Sequence, residues 1–247
     1  MKFQLEGKRK AVIADPGNVL VMGGPGAGKT TLAILKAKSC MPSFQPGQTA
    51  LFLSFSRAAV QQILLRCRSV LSREEMQQID VRTYHSFCWE LLKGHGRALG
   101  GSMLQMITPG QEGVMRTQFD GDWSAERQRL LTDESRASFE IFAHAAARLV
   151  EESAHIRSGI ADLHPLLILD EFQDTDDDQW RLVKALSSAA TNIFLADSEQ
   201  RIYDYAPACG LIGWIYCARR SSSQRRTLRQ TISAARPLTS FASQTPW

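Results

Sequence analysis

Gly23-Gly24-Pro25-Gly26-Ala27-Gly28-Lys29-Thr30-Thr31 joins the apolar run Val19-Leu20-Val21-Met22 to the helix-like segment Leu32-Ala33-Ile34-Leu35-Lys36-Ala37. Gly23 to Thr30 match G-x-x-x-x-G-K-[ST], with the strand before and the helix after that this pattern requires. Glycine at this density lets successive backbone N–H groups turn inward around a phosphate chain, and the helix that follows adds the positive end of its dipole. In such a loop the lysine, here Lys29, reaches the β- and γ-phosphates, and the hydroxyl of Thr30 is placed to ligate Mg²⁺. Residues 23 to 31 are therefore the candidate cradle of a nucleoside triphosphate.

A second chemical group lies 141 positions further on, counted from Lys29 to Asp170. Asp170-Glu171-Phe172-Gln173-Asp174-Thr175 follows the apolar run Leu166-Leu167-Ile168-Leu169 directly, so its carboxylates leave the carboxyl end of a strand. Open α/β sheets hold their ligands there. Adjacent parallel strands would bring this group to the glycine-rich loop. The two acids can divide the work, Asp170 orienting Mg²⁺ and Glu171 polarising an attacking water. Asp176-Asp177-Asp178 are better placed to start the helix that carries Trp180, Leu182, Val183 and Leu186, because acids favour a helix N-terminus.

The elements that must position these groups alternate along the chain. Lys8–Ala14 predicts a helix, residues 18–22 a strand, and the helix after the loop should run to about Cys40 before Pro42 and Pro46-Gly47 stop it. Thr49–Phe55 is a continuous apolar run of the kind a buried parallel strand needs. Ser56 caps a helix from Arg57, and Ser72-Arg73-Glu74-Glu75 fits a capping box. Val81–Tyr84 reads as a third strand and His85–Leu92 as a helix ended by Gly94 and Gly96. Residues 97–160 are polar, with helices expected over about 125–131 and 135–152. Strands resume at Leu166–Leu169 and Asn192–Ala196. The alternation implies an α/β fold with a mostly parallel sheet covered on both faces and a small helical insertion.

Composition sets the bounds. The 247 residues can bury a substantial core, and 44% hydrophobic with 22% charged residues is ordinary for a globular protein. No apolar run approaches the roughly 18 residues of a membrane span, and Met1–Glu6 is no signal peptide, so no membrane partner and a cytoplasmic location are expected. The five cysteines are scattered without C-x-x-C spacing, which argues against a disulfide framework or a zinc site. The net charge of +4 resides in the tail: after Asp204 there are six arginines and no Asp, Glu or Lys. Taking those six from the 29 Lys and Arg leaves 23 against 25 acids in residues 1–205, a net of −2. The Arg/Ser-rich stretch Arg219–Arg226 reads as a basic arm for nucleic acid, as a disordered end, or as sequence departing from its ancestral frame.

Taken in order, these blocks resemble the UvrD/Rep-type superfamily I DNA helicases. Gly23–Thr31 is similar to that family's first motif, and Asp170–Thr175 to its DEFQD(T) motif. Phe55-Ser56-Arg57 lies in a segment similar to the strand-to-helix element that contacts single-stranded DNA. Thr83-Tyr84-His85-Ser86-Phe87 resembles T-F-H-S-F, and Ala196–Tyr205 resembles the third motif, D-x-x-Q-x-I-Y-x-aromatic. The resemblance implies that residues 1–96 and 161–208 form the first RecA-like, ATP-binding domain of a P-loop NTPase, that 97–160 are a reduced helical insertion, and that 209–247 are a poorly ordered tail. It implies ATP and Mg²⁺ as cofactors and single-stranded DNA as partner. Lys29, Glu171 and Gln200 would serve catalysis, with Gln200 sensing the γ-phosphate, while Phe55, Ser56, Arg57, Thr83, His85 and Tyr205 would face DNA. Base stacking of the kind expected for Tyr205 contributes about 1–3 kcal/mol per base.

Three features depart from the family's pattern. Lys8 stands where a glutamine usually reads adenine, with Gln4 the nearest substitute; Ala206-Pro207-Ala208 follow the aromatic where an arginine is common. Nothing after residue 208 resembles the second RecA-like domain, which supplies arginine fingers worth about 10³–10⁵ in rate. The chain is thus expected to be an incomplete helicase that binds Mg-ATP and turns it over poorly alone. Two other functions would use the same loop: a nucleotide-binding module without turnover, and a P-loop enzyme whose phosphoryl acceptor is not water.

Overall fold

The computed structural model describes residues 7–197 and 231–233. After helix α1 (Lys8–Ala14), strand β1 (Val19–Met22) feeds the glycine loop and α2 (Lys29–Cys40). Then come β2 (Ala50–Ser54), α3 (Arg57–Val70), α4 (Arg73–Met76), β3 (Ile79–Thr83) and α5 (Tyr84–His95). The middle of the chain forms α6 (Arg97–Gly100), β4 (Gln105–Ile107), α7 (Pro109–Gln118), α8 (Trp123–Asp133), β5 (Arg136–Ser138), α9 (Phe142–Glu152) and α10 (Ala154–Leu163). The sheet resumes with β6 (Leu166–Leu169), α11 (Asp177–Leu186), β7 (Thr191–Ala196) and β8 (Thr231–Ser233).

The main sheet has the order β3-β2-β6-β7-β1-β8, and every neighbouring pair in it is parallel. Strands β1 and β6 are wholly apolar and β2 and β7 nearly so, because both faces of the central sheet are covered, whereas β3 at the edge carries Asp80 and Arg82. Alternate residues go to opposite sides. Leu20, Leu51, Leu53, Leu167, Leu169 and Phe194 pack against α5, α9 and α11. Val19, Val21, Phe52, Ile168, Ile193 and Leu195 pack against α1, α2 and α3. The strand order corrects one expectation: β1 and β6 are not neighbours, since β7 lies between them. The carboxyl ends of β1, β7 and β6 therefore form a row, and Asp197 sits in its middle.

Local signals placed most of these elements. Ser56 caps α3 by accepting the amide of Ala59, and capping boxes open α4 at Ser72 and α11 at Asp176. Gly94 continues α5 instead of ending it. Residues 135–152 do not make one helix. Ser135 takes φ 53°, β5 follows it beside β4, and the helix starts only at Phe142. From there Phe142, Ala145, Ala146, Leu149 and Val150 enter the same core as the sheet residues. Residues 231–233 of the tail pair with β1. The rest of 209–247, and Gln4, lie outside the described residues. No helix among the described residues is long and apolar enough to cross a membrane.

Candidate functional site

The glycine loop closes on itself at the carboxyl edge of β1. Gly23 N donates to Ala196 O of β7 at 3.2 Å, and Ala27 N to Gly24 O at 3.2 Å. Gly26 and Gly28 have φ of 74° and 82°, a left-handed backbone that favours glycine, and Gly28 is the N-cap of α2. Lys29 begins that helix and is buried. Its Nζ donates to Gly23 O at 2.6 Å and lies 3.5 Å from Asp197 Oδ2. Arg9 reaches the loop from α1, its Nη2 donating to Ala27 O at 3.4 Å.

A cleft of about 200 Å³ opens beside the loop, lined by Gly24 to Thr30, by Asp170, Glu171 and Asp197 from the neighbouring strand ends, and by α3. Thr30 faces this cleft, whereas Gly23 serves as acceptor for Lys29 and Thr31 is not among the lining residues. Asp170 is buried, and its pKa is pushed up to about 6 by loss of solvent and by the neighbouring Glu171 carboxylate, against the pull of Lys29. A carboxylate held dry beside a like charge suits a cation. One or two carboxylates and a hydroxyl in a cleft sized for phosphates match Mg²⁺, which takes its remaining oxygens from phosphate and water. Glu171 follows with φ 49° and ψ 44°, a conformation uncommon outside glycine, which marks the turn from β6 as constrained.

The α3 wall contains a group that the sequence reading passed over. Ala59, Gln62, Ile63 and Arg66 all line the cleft. Their spacing of i, i+3, i+4 and i+7 is that of one helix face. Arg66 is thus a second cation in the cleft beside Lys29, and it acts to lower the Asp170 pKa.

The candidate DNA-facing residues gather at the ends of β2 and β3, which are in register at Ser54 and Thr83. Phe55 and Tyr84 contact with ring centroids 4.9 Å apart. Ser56 and Thr83 act as caps, their hydroxyls accepting the amides of Ala59 and Ser86 at 3.0 and 3.1 Å. Arg57 is exposed at the start of α3. His85 stacks on Phe139, which comes from the middle of the chain, with centroids 4.0 Å apart and planes 4° from parallel. Burial lowers the His85 pKa. Gln200 and Tyr205 lie outside the described residues.

A family profile described as an AAA domain matches residues 8–206. Over 257 aligned residues the chain is 23% identical to a "Probable DNA helicase" of Mycoplasma pneumoniae, covering 81% of this chain and 47% of that protein. It is 24% identical over 249 residues to the "ATP-dependent DNA helicase Rep" of Escherichia coli, covering 82% of this chain and 37% of that one. The chain thus spans less than half the length of either relative. A crystal structure of Pif1 helicase from Candida albicans aligns with 94% of this chain and 40% of its own at a TM-score of 0.46 and 14% identity.

Proposed function

The chain belongs to the AAA domain family and is similar to UvrD/Rep-type superfamily I DNA helicases over four fifths of its length, and from this premise we propose that it is the ATP-binding domain of an ATP-dependent DNA helicase. The observation that carries the proposal is the meeting of Lys29, Asp170, Glu171 and Asp197 in one cleft with the phosphate loop.

In this function the loop amides and Lys29 grip the β- and γ-phosphates of ATP, Lys29 leaving Gly23 O to do so. Thr30 and Asp170, which line the cleft, would hold Mg²⁺, and the ion would supply positive charge against that developing on the phosphate oxygens. Glu171 orients the attacking water and accepts its proton. Arg66, on the α3 wall, stabilises negative charge on the transferred group. Gln200 senses the γ-phosphate, while Phe55, Ser56, Arg57, Thr83, His85 and Tyr205 meet single-stranded DNA. In the complete enzyme a second RecA-like domain closes the cleft, and hydrolysis there drives translocation and duplex unwinding in the cytoplasm.

ATP turnover by the 1–247 chain with and without a single-stranded oligonucleotide tests this. Turnover that rises with DNA supports the helicase domain. Transfer of the γ-phosphoryl group to an acceptor other than water, or binding of ATP that DNA leaves unaffected in both affinity and rate, contradicts it.

A further inference from the structure

Gln173 lies two residues past Glu171, in the short 3₁₀ turn Phe172–Asp174, and its carboxamide joins two parts of the cleft. Nε2 donates to Glu171 Oε2 at 2.7 Å, and Oε1 accepts the backbone N–H of Asp197 at 2.9 Å. Each bond fixes the sense of the other. A backbone N–H only donates, so the end of the carboxamide facing Asp197 is its oxygen and the end facing Glu171 is its NH₂ group. A carboxylate accepts from that end. Few side chains do both: glutamate would set a second carboxylate against Glu171, and asparagine is one methylene shorter.

The clamp acts on a group that its backbone alone would hold in a sparsely populated conformation, since Glu171 has φ 49°. It occupies Oε2 and leaves Oε1 to take up a proton. Its other end is tied to the residue that faces Lys29 at 3.5 Å. A continuous line of polar contacts therefore runs from Lys29 through Asp197 and Gln173 to Glu171. Resting on the assignment of this cleft to Mg-ATP, we infer that Gln173 is a positioning residue for hydrolysis: it orients the water-activating carboxylate and makes that orientation depend on the end of β7.

The test is single-turnover hydrolysis of γ-labelled ATP by the 1–247 chain in excess, with equilibrium binding of Mg-ATP measured in parallel. Wild type, Gln173→Met, Glu171→Gln and the double variant are compared. Methionine keeps the volume and removes both hydrogen bonds. The Gln173→Met chain is expected to hydrolyse about tenfold or more slowly while its Kd for Mg-ATP stays within about twofold, a loss confined to the chemical step. In the Glu171→Gln background the same change is expected to add nothing, because the two residues act as one unit. A merely structural role would weaken binding or slow both backgrounds by the same factor, and either result overturns the inference. Gln173→Glu, which keeps the acceptor for Asp197 N–H and repels Glu171, is expected to be as slow, and it serves the comparison if the methionine variant does not fold. Equal rates in wild type and Gln173 variants, even at the uncatalysed background, also overturn it. A wild-type chain that fails to bind Mg-ATP instead overturns the assignment of the cleft.

Discussion

The ammonium of Lys29 lies 3.5 Å from the carboxylate of Asp197, across 168 positions of sequence. Both groups are buried, at 9% and 2% side-chain exposure, so this contact joins the phosphate loop to the end of β7 in a poorly solvated place. The contact sets opposite charges side by side where the loop meets the sheet.

Glu171 stores backbone strain at the wall of the cleft. Glu171→Gly should be more stable than Glu171→Ala by roughly 1 kcal/mol, because only glycine takes φ 49° without cost. Thermal melting of the two variants checks this, and both should hydrolyse no ATP. Equal melting temperatures would show that the turn is unstrained.

Arg66 should matter to the reaction more than its exposure suggests. Arg66→Ala is expected to lower ATP turnover about 10²-fold, the effect typical of removing one donor to developing charge, with the fold intact by circular dichroism. Arg66→Lys should restore only part of it, since a point charge lacks the planar fork. Turnover unchanged in Arg66→Ala would remove α3 from the chemistry.

Arg57 should contribute a phosphate contact to DNA. If so, Arg57→Ala weakens binding of a single-stranded oligonucleotide and reduces the slope of log K against log salt by about 0.7, the value for one phosphate on a single strand. Titrations at several salt concentrations measure it. An unchanged slope would place the DNA elsewhere.

His164 should make the fold sensitive to acid. Burial lowers its pKa below the ordinary 6.5, with Asp80 raising and Arg82 lowering it, and its Nδ1 bonds Thr49 Oγ1 at 2.9 Å. The unfolded chain therefore binds a proton more readily than the folded one. Stability present above pH 6.5 is lost as pH falls from there through the folded value. His164→Gln should remove that part of the slope in urea-melt midpoints between pH 7 and 5, at a cost of about 1 kcal/mol at neutral pH for the hydrogen bond. A slope identical to wild type would mean that other groups carry it.

Much of this was legible in the sequence because local chemistry dictated it. Apolar runs marked β1, β2, β6 and β7, and Ser56, Ser72 and Asp176 announced the helices they cap. Lys29 and Thr30 were identifiable because they open the helix that follows the glycine loop, and Asp170 and Glu171 because they leave the end of an apolar strand. What escaped depends on tertiary contact. The pairing of β4 with β5 joins two three-residue strands whose residues, Gln105–Ile107 and Arg136–Ser138, have no distinctive alternation. Nothing in the sequence places β7 between β1 and β6, so the contact of Asp197 with Lys29 was not foreseen. Arg66 carried a signal in its helical spacing from Ala59, but that face becomes meaningful only once the loop is known to oppose it. Gln173 stood inside the Asp170–Thr175 block, but its role was not legible, since its two partners come from different strand ends.

The deciding measurement is binding and hydrolysis of Mg-ATP by the 1–247 chain beside Lys29→Ala and Glu171→Gln. Lys29→Ala should weaken Mg-ATP binding by roughly 100-fold, equivalent to about 3 kcal/mol for removing one side of a buried charge contact. Glu171→Gln should bind as wild type does and lose whatever hydrolysis the wild type shows. If Lys29→Ala binds Mg-ATP as tightly as wild type, or Glu171→Gln hydrolyses it at the wild-type rate, this cleft is not where the protein uses ATP.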